Sequence, residues 1–273
     1  MFDILSYFTE DFDTYAVHSI IMYVFDETRT DEFIHAALDD YRKAYIADED
    51  LDAIVAGMGT SRNEEIKGVT PTDAIIKSGE FAEILSYYLF LAKNPEYNVA
   101  PLRWRWKEER DRSVHFADIM LLYCPDETKL SKTDKLMTVE VKSRATKPAK
   151  GESSINNAIA GALKDSVSRE GKTLSFLRQR YTRDKQFDMV NKVKRFEDAV
   201  EHPYQTQHNA IAIVDSTYME DYHIGNLDTN LIAKIGAFNK AENQNHHSMA
   251  VFVIPMDDLK AKYERLYQEL PNS

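Results

Sequence analysis

Hydrophobic residues recur every three or four positions in several segments of the chain, a spacing that predicts amphipathic helices. In residues 30–46, for example, Phe33, Ala37 and Tyr41 fall on one face. The residues between 51 and 68 lack this spacing and are predicted to form a loop. The spacing predicts further helices over residues 70–93, 151–183 with a break near Gly171, 185–207, 228–241 and 257–270.

Short apolar runs and alternating segments predict β-strands. These segments cover residues 17–26, 99–112, 115–124, 135–143, 209–218 and 248–256. The three consecutive strands between residues 99 and 143 have short connections, which favours an antiparallel meander. Because helices and strands mix along the whole chain, the predicted fold class is α/β (α+β).

The helix predicted over residues 70–93 carries two acids beside its apolar stripe. Thr70 is expected to cap this helix, with the following proline in its first turn. Glu80 and Glu83 lie one helical turn apart. Glu80 follows Gly79, where the backbone or a substrate can approach closely, so we prefer Glu80 to Glu83 as a functional acid.

The strand predicted over residues 135–143 mixes apolar and charged positions. Successive side chains of a strand point to opposite faces, so Glu140 and Lys142 share the face opposite Met137, Val139 and Val141. Burying an ionised group without a partner is costly, so this acid and base in an apolar strand need a reason. Four similar acid-x-lysine pairs lie in polar surroundings, where a surface role is the default: Glu65–Lys67, Glu127–Lys129, Glu170–Lys172 and Asp258–Lys260.

An acid on the preceding strand gives Glu140 a potential partner. Asp118 is followed by an apolar run, and if the two strands form a hairpin, Asp118 and Glu140 lie close on one face. Two carboxylates so placed repel each other unless a cation lies between them. Mg²⁺ typically binds one or two protein carboxylates together with water and phosphate. Lys142 would then position the attacking water or stabilise charge on the phosphate; structural ion pairs are the alternative.

Charge is distributed unevenly along the chain. The net charge is −11, which by itself argues against nucleic-acid binding. Residues 103–195, however, hold 22 basic and 13 acidic side chains, whereas the segments on either side are acidic. This asymmetry predicts a local electrostatic footprint for nucleic acid. The single cysteine, Cys124, and the absence of a signal peptide or a membrane-spanning run favour a cytoplasmic protein with no membrane partner.

Basic residues after the acid-bearing strand are candidate phosphate contacts. Arg144, Lys147 and Lys150 follow Lys142 directly and are predicted to bind nucleic acid. The RWRW segment, residues 103–106, could stack on bases, but packing against the sheet is preferred. His115 is interpreted as a hydrogen-bonded histidine at a strand end.

The order of these features resembles the core motif of the PD-(D/E)xK nuclease superfamily. Glu80, Asp118 and Glu140-Val141-Lys142 carry the resemblance, with Ala117 where the motif's name has proline. The resemblance covers residues 70–260 and implies a restriction-endonuclease-like core, a mixed central sheet flanked by helices. It also implies cleavage of DNA or RNA with Mg²⁺ or Mn²⁺, with Asp118, Glu140 and Glu80 as metal ligands and Lys142 as catalytic lysine.

The whole pattern is most similar to the HamA family, the nuclease subunits of Hachiman antiphage defence systems. GEFAEILSYYLF, HFAD, VEVKSR, AIAIVDSTY and VFVIP carry this similarity. It implies a Mg²⁺-dependent deoxyribonuclease acting with a helicase subunit (HamB-like). We expect residues 1–68 to form an N-terminal α/β extension packed on the core and residues 69–273 to form the nuclease core. The alternatives are a catalytically inactive nuclease-fold protein that binds nucleic acid or a partner, and a nuclease without a helicase.

Overall fold

A six-stranded mixed sheet forms the centre of the protein. The computed structural model describes residues 2–114, 117–126, 129–242 and 247–273. The strands are β1 (Phe8–Asp11), β2 (Ile20–Phe25), β3 (Ile119–Tyr123), β4 (Lys135–Arg144), β5 (Gln205–Asp215) and β6 (His247–Met256). Their order is β1-β2-β6-β5-β4-β3, in which β2, β6, β5 and β4 are parallel and both edge strands antiparallel. The predicted α/β class, with a mixed sheet flanked by helices, is confirmed.

Helices cover both faces of the sheet. They are α1 (Thr30–Tyr45), α2 (Asp48–Met58), α3 (Arg62–Val69), α4 (Ala74–Lys93), α5 (Ser154–Lys164), α6 (Glu170–Arg183), α7 (Phe187–Lys194), α8 (Thr229–Glu242) and α9 (Leu259–Glu269). The hydrophobic core of one face includes α1, α4 and α9. On the other face, α5 and α8 pack on β5 and β6, while α6 and α7 pack on β3 and the start of β4. Within the described ranges, no helix is long and apolar enough to cross a membrane.

The alternation predicted for β4 is confirmed. Met137, Val139 and Val141 belong to the core that includes α4. Thr138 and Glu140 point to the opposite face, where Thr138 is hydrogen-bonded to His208 and Glu140 contacts Arg169 in the turn that follows α5. One strand therefore contributes apolar side chains to one core and a buried acid to the other side.

Two segments predicted from their local patterns were wrong. Most of residues 51–68 are helical rather than a loop: α2 continues to Met58, and α3 begins at Arg62 after a short break. The start of α3 is a capping box, in which the side chains of Ser61 and Glu64 each accept a hydrogen bond from the other's backbone N–H group. Residues 99–112 are not a strand: Arg103–Trp106 form a short 3₁₀ turn, and only Val99 bridges to Leu122. The predicted meander is therefore reduced to the β3–β4 hairpin.

The predicted helix ends also need correction. Asp73, not Thr70, caps α4, because its carboxylate accepts hydrogen bonds from the free backbone N–H groups of Ile75 and Ile76, at 2.8 and 3.1 Å. The helix predicted over residues 151–183 is interrupted by a π-helical turn, Asp165–Arg169, and not by a break near Gly171. The one predicted over residues 185–207 is shorter, because the chain turns after α7 and enters β5 at residue 205.

Candidate active site

The β3–β4 hairpin places two predicted site acids side by side. Ile119 pairs with Val139, so Asp118, one residue before β3, stands opposite Glu140. The backbone N–H of Val141 donates to Asp118 Oδ2 at 2.8 Å and fixes that carboxylate at the end of the hairpin. The register of these two strands is therefore what brings the acids together.

Lys142 lies against both acids. Its Nζ donates to Glu140 Oε1 at 2.6 Å and to the backbone oxygen of Val141 at 3.1 Å, and it lies 4.0 Å from Asp118 Oδ2. The ammonium group thus occupies a site surrounded by three oxygen atoms. Burial disfavours its charge, but the carboxylates of Asp118 and Glu140 outweigh burial and raise the pKa of Lys142. Lys142 is therefore a cation at neutral pH.

Glu140 is deeply buried, and α5 passes directly over it. Gly161 faces the carboxylate so closely that a Cβ at position 161 would lie under 3.0 Å from three of its side-chain atoms. The second carboxylate oxygen, Oε2, accepts a hydrogen bond from Arg169 Nη2 at 2.8 Å. Burial raises the pKa of Glu140, and the neighbouring charge of Asp118 raises it further, against the opposing effect of Lys142.

Arg169 is a residue of the site that the sequence did not connect with Asp118 and Glu140. Its Nη2 also donates to the carbonyl oxygen of Gly161 at 2.8 Å, and its Nε lies 2.7 Å from Asp165 Oδ1. Asp165 has no exposed surface, and burial raises its pKa to about 7, with the charge of Glu140 adding to the effect. Both residues lie in the π-helical turn, a feature often found at functional sites.

Glu83, rather than Glu80, is the α4 acid that reaches the cleft. Arg103 Nη2 donates to Glu83 Oε2 at 2.6 Å and lies 3.4 Å from Asp118 Oδ1, which connects the two acids. Trp104 Nε1 donates to the same Glu83 oxygen at 3.1 Å. Burial raises the pKa of Glu83 to about 7; Arg103 opposes this shift and Asp118 adds to it.

Glu80 belongs to a separate buried network. Tyr45 donates its hydroxyl to Glu80 Oε2 at 2.7 Å, and the ammonium group of Lys107 binds Oε1. Tyr45 is in turn hydrogen-bonded to Tyr267 on α9. The structure therefore does not bring Glu80 to Asp118 and Glu140, because the helical phase of α4 turns it toward α1 and α9. Sequence spacing could not distinguish two acids that are three residues apart.

An open cleft of about 650 Å³ gives access to this cluster. It is lined from α4, from β4, from the residue before β3 and from the π-helical turn, by Glu83, Glu140 and Lys142, Asp118 and Arg169, respectively. The rim is formed in part by Ser78, Ser143, Arg144 and Lys260. The cleft therefore joins a buried acidic floor to a surface with basic side chains, a combination suited to a divalent cation and a phosphate.

The predicted phosphate contacts lie at or just beyond this rim. Arg144 lines the cleft and donates to the carbonyl oxygens of Thr146 and Lys147 at 3.2 and 3.3 Å. Lys147 and Lys150 are exposed in the loop that follows β4, and the ammonium of Lys147 lies over the ring of Tyr222.

In the RWRW segment, Arg103 and Trp104 are buried in the core, whereas Trp106 lines a small pocket beside the cleft. Arg103 and Trp104 are buried and bound to Glu83, so they support the site from inside. Arg105 donates to the carbonyl oxygen of Lys43.

His115 and Glu127, discussed above, lie outside the described residues.

The oxygen atoms around Lys142 are suited to a hard divalent cation. Among the described residues, no three His, Cys, Asp or Glu side chains already form a metal-binding group. Mg²⁺ needs only one or two protein carboxylates, since waters and substrate complete its shell. Asp118, Glu140 and the carbonyl of Val141 supply such oxygens, and the flexible Lys142 side chain can withdraw toward solvent, to which it is 37 % exposed. The residues present therefore fit Mg²⁺ or Mn²⁺.

Comparison with known proteins identifies the family. Among curated proteins, none matches the chain. A family model, HamA, matches residues 3–270, which includes all six strands, all nine helices defined above and every residue of the cleft. The chain therefore belongs to the HamA family.

Proposed function

We propose that the protein is a metal-dependent nuclease that hydrolyses DNA phosphodiester bonds and serves as the effector of a Hachiman defence complex with a helicase partner. One observation carries the proposal: a cation, the Lys142 ammonium, lies among oxygens of Asp118, Glu140 and Val141 at the floor of an open cleft. The mixed sheet and the acid-x-lysine strand are consistent with a PD-(D/E)xK core.

In this proposal, Asp118 and Glu140 would hold Mg²⁺ or Mn²⁺ together with the carbonyl oxygen of Val141. The ion supplies Lewis-acid polarisation of the scissile phosphate when bound. Arg169 holds Glu140 through Oε2, which leaves Oε1 facing the cleft. Glu83 lies across from these ligands and is a better candidate for the helix acid of the site than Glu80, because only Glu83 lines the cleft.

Lys142 provides positive charge at the reacting centre. Its raised pKa keeps it protonated at neutral pH, so it donates hydrogen bonds rather than accepting a proton. With a divalent ion held by these oxygens, the ammonium group would orient the attacking water or stabilise charge on the phosphate. Arg144, Lys147 and Lys150 extend this positive charge along the path of a nucleic-acid backbone.

Cleavage of plasmid DNA tests the proposal directly. Purified protein, with and without the helicase partner, is incubated with Mg²⁺, Mn²⁺ or EDTA, and we expect cutting only with a divalent ion. Glu140→Gln and Lys142→Ala should each remove cutting while thermal unfolding remains cooperative. Lys67→Ala, in the acid-x-lysine pair on the surface of α3, is the matched control and should cut normally.

Two results would contradict the proposal in different ways. Normal cutting by both Glu140→Gln and Lys142→Ala would mean that the chemistry lies elsewhere. DNA binding without cutting under every metal and partner condition would favour the alternative, a nuclease-fold protein that acts only as a nucleic-acid or partner-binding module.

A further inference from the structure

A second, smaller pocket opens beside the cleft. It has a volume of about 300 Å³ and shares two wall residues, Ser113 and Val114, with the cleft. Trp106 and Phe176 form its aromatic part. Because Ser113 is exposed and Val114 only partly buried, a ligand that extends from the cleft past these two described residues would reach this pocket.

The aromatic part of the pocket is held in place by ring contacts. The rings of Trp106 and Phe176 are 6.0 Å apart at 74°, and Trp106 also meets Tyr181 edge to face at 5.4 Å. Trp106 is only partly buried, whereas Trp104, two residues earlier, is 3 % exposed. The structure thus separates a packing tryptophan from one that lines a pocket.

Basic side chains lie beside these rings, together with one acid, Glu108. The guanidinium group of Arg180 lies 5.2 Å from the centre of the Phe176 ring, and its Nη2 lies 3.6 Å from the carboxylate of Glu108, which is largely exposed. Arg112, on the pocket wall, is 67 % exposed, and its Nη1 lies 3.5 Å from the carboxylate of Glu109, which is also exposed. Surface ion pairs of this kind hold their partners only weakly, so both arginines can turn to an incoming phosphate or base edge.

We propose that this pocket receives an unpaired nucleobase of the strand whose phosphate lies in the cleft. The inference rests on the proposed nuclease function. An aromatic wall with guanidinium groups beside it matches a base, which combines a flat ring with hydrogen-bonding edges, and such stacking tolerates any sequence. A base inside an intact duplex cannot reach the pocket, so single-stranded or frayed DNA is the preferred substrate.

Tryptophan fluorescence provides the first test, because the chain has two tryptophans and only Trp106 lines the pocket. Wild-type protein in EDTA is titrated with an oligothymidylate that carries no secondary structure. We expect saturable quenching in the wild type and none in Trp106→Phe, in which the buried Trp104 is the remaining fluorophore. Equal quenching in both proteins would overturn the proposal.

Binding measurements with variants provide the second test. Since base stacking is worth roughly a factor of ten or more in affinity, Trp106→Ala should weaken single-strand binding about tenfold, whereas Trp106→Phe should retain most of it. Arg180→Gln should also weaken binding, while Arg183→Gln, an exposed arginine in the same last turn of α6, should not. The Arg180 variant keeps the test decisive if Trp106→Ala does not fold.

The two proposals can fail separately. If Glu140→Gln abolishes cutting but Trp106→Ala and Arg180→Gln bind single strands and cut them as the wild type does, only the base pocket is wrong. If the pocket variants lose single-strand binding and Glu140→Gln still cuts, the active-site assignment is wrong and the pocket stands. Equal loss of single-strand and blunt-duplex binding in the pocket variants would contradict the proposed preference for unpaired bases.

Discussion

The close approach of α5 to Glu140 makes Gly161→Ala a sharp test of the site. In the structure, a methyl group at position 161 would lie under 3.0 Å from Glu140 Cγ, Cδ and Oε1. Either α5 moves away from β4, or the Glu140 carboxylate leaves its position between Lys142 and Arg169. Both outcomes displace the acid that we propose as a metal ligand.

Two opposing contributions set the effect on stability. Alanine is favoured over glycine in a helix by about 1 kcal/mol, whereas overpacking a close-packed site costs about 1–3 kcal/mol. The expected net change is a loss of up to about 2 kcal/mol, a fall in Tm of a few degrees for a chain of this size. Activity should fall far more, about 100-fold, because a shift of roughly 1 Å in a catalytic group has that effect.

Gly171→Ala is the matched control. Gly171 is an exposed residue of α6, and a Cβ there meets no atom within 4 Å. This variant should gain about 0.5–1 kcal/mol of stability and cut DNA at the wild-type rate. Thermal unfolding and single-turnover cleavage of a labelled substrate measure both quantities on the same preparations.

The pattern of the two variants decides the question. The reasoning requires stability and activity to separate: nearly native stability with strongly reduced cutting in Gly161→Ala, and increased stability with unchanged cutting in Gly171→Ala. If Gly161→Ala were stabilised as much as the control and cut normally, Glu140 could not be held against α5 in the active protein.

Three further predictions follow from the charges of the site. Glu83→Gln should lower cutting at least about tenfold with little change in Tm. Glu80→Gln should mainly destabilise the folded protein, by about 3 kcal/mol, since it leaves the buried Lys107 without its acid. The opposite ranking in parallel cleavage and unfolding assays would restore Glu80 as the site acid. Folding raises the pKa of Asp165 to about 7 from an ordinary value near 4. The folded protein therefore binds more protons than the unfolded chain between these pH values and loses stability as the pH rises through them, on the order of 1 kcal/mol per pH unit. Asp165→Asn lacks this loss, so in urea unfolding with EDTA its free energy of unfolding relative to that of the wild type should increase from about pH 4 to about pH 7, and a constant difference would refute the assignment. Mg²⁺ at about 100 times its Kd should stabilise the wild type by about 2.7 kcal/mol, and this gain should vanish on chelation and in Asp118→Asn; an equal Mg²⁺ response in that variant would exclude Asp118 as a ligand.

Local sequence was sufficient for the elements of the sheet that carry the site. The alternation in β4 separates Val139 and Val141 from Glu140 and Lys142, and the apolar run after Asp118 marks β3. These patterns depend on the two-residue period of a strand and on burial, which are properties of a short segment. The α/β class followed for the same reason, because the periods of helices and strands are readable one segment at a time.

Local sequence failed where a cap, a turn or a helix phase decided the outcome. The predicted loop over residues 51–68 is largely helix, of which only α3 is begun by the capping box at Ser61, and a 3₁₀ turn at Arg103–Trp106 replaced a predicted strand. The choice between Glu80 and Glu83 depends on how α4 is rotated against the sheet. That rotation is set by the packing of the whole helix, and a residue spacing of three cannot reveal it.

The sequence by itself determined that this protein has an α/β fold with an acid and a lysine two positions apart on a buried strand. Only the tertiary structure decided that Glu83 rather than Glu80 faces them, and that Arg169 reaches Glu140 from a π-helical turn 29 residues away along the chain. The physical reason is that strand alternation is a local property, whereas the approach of α4 and α5 to the end of the β3–β4 hairpin depends on contacts between distant segments. The site is assembled by those contacts.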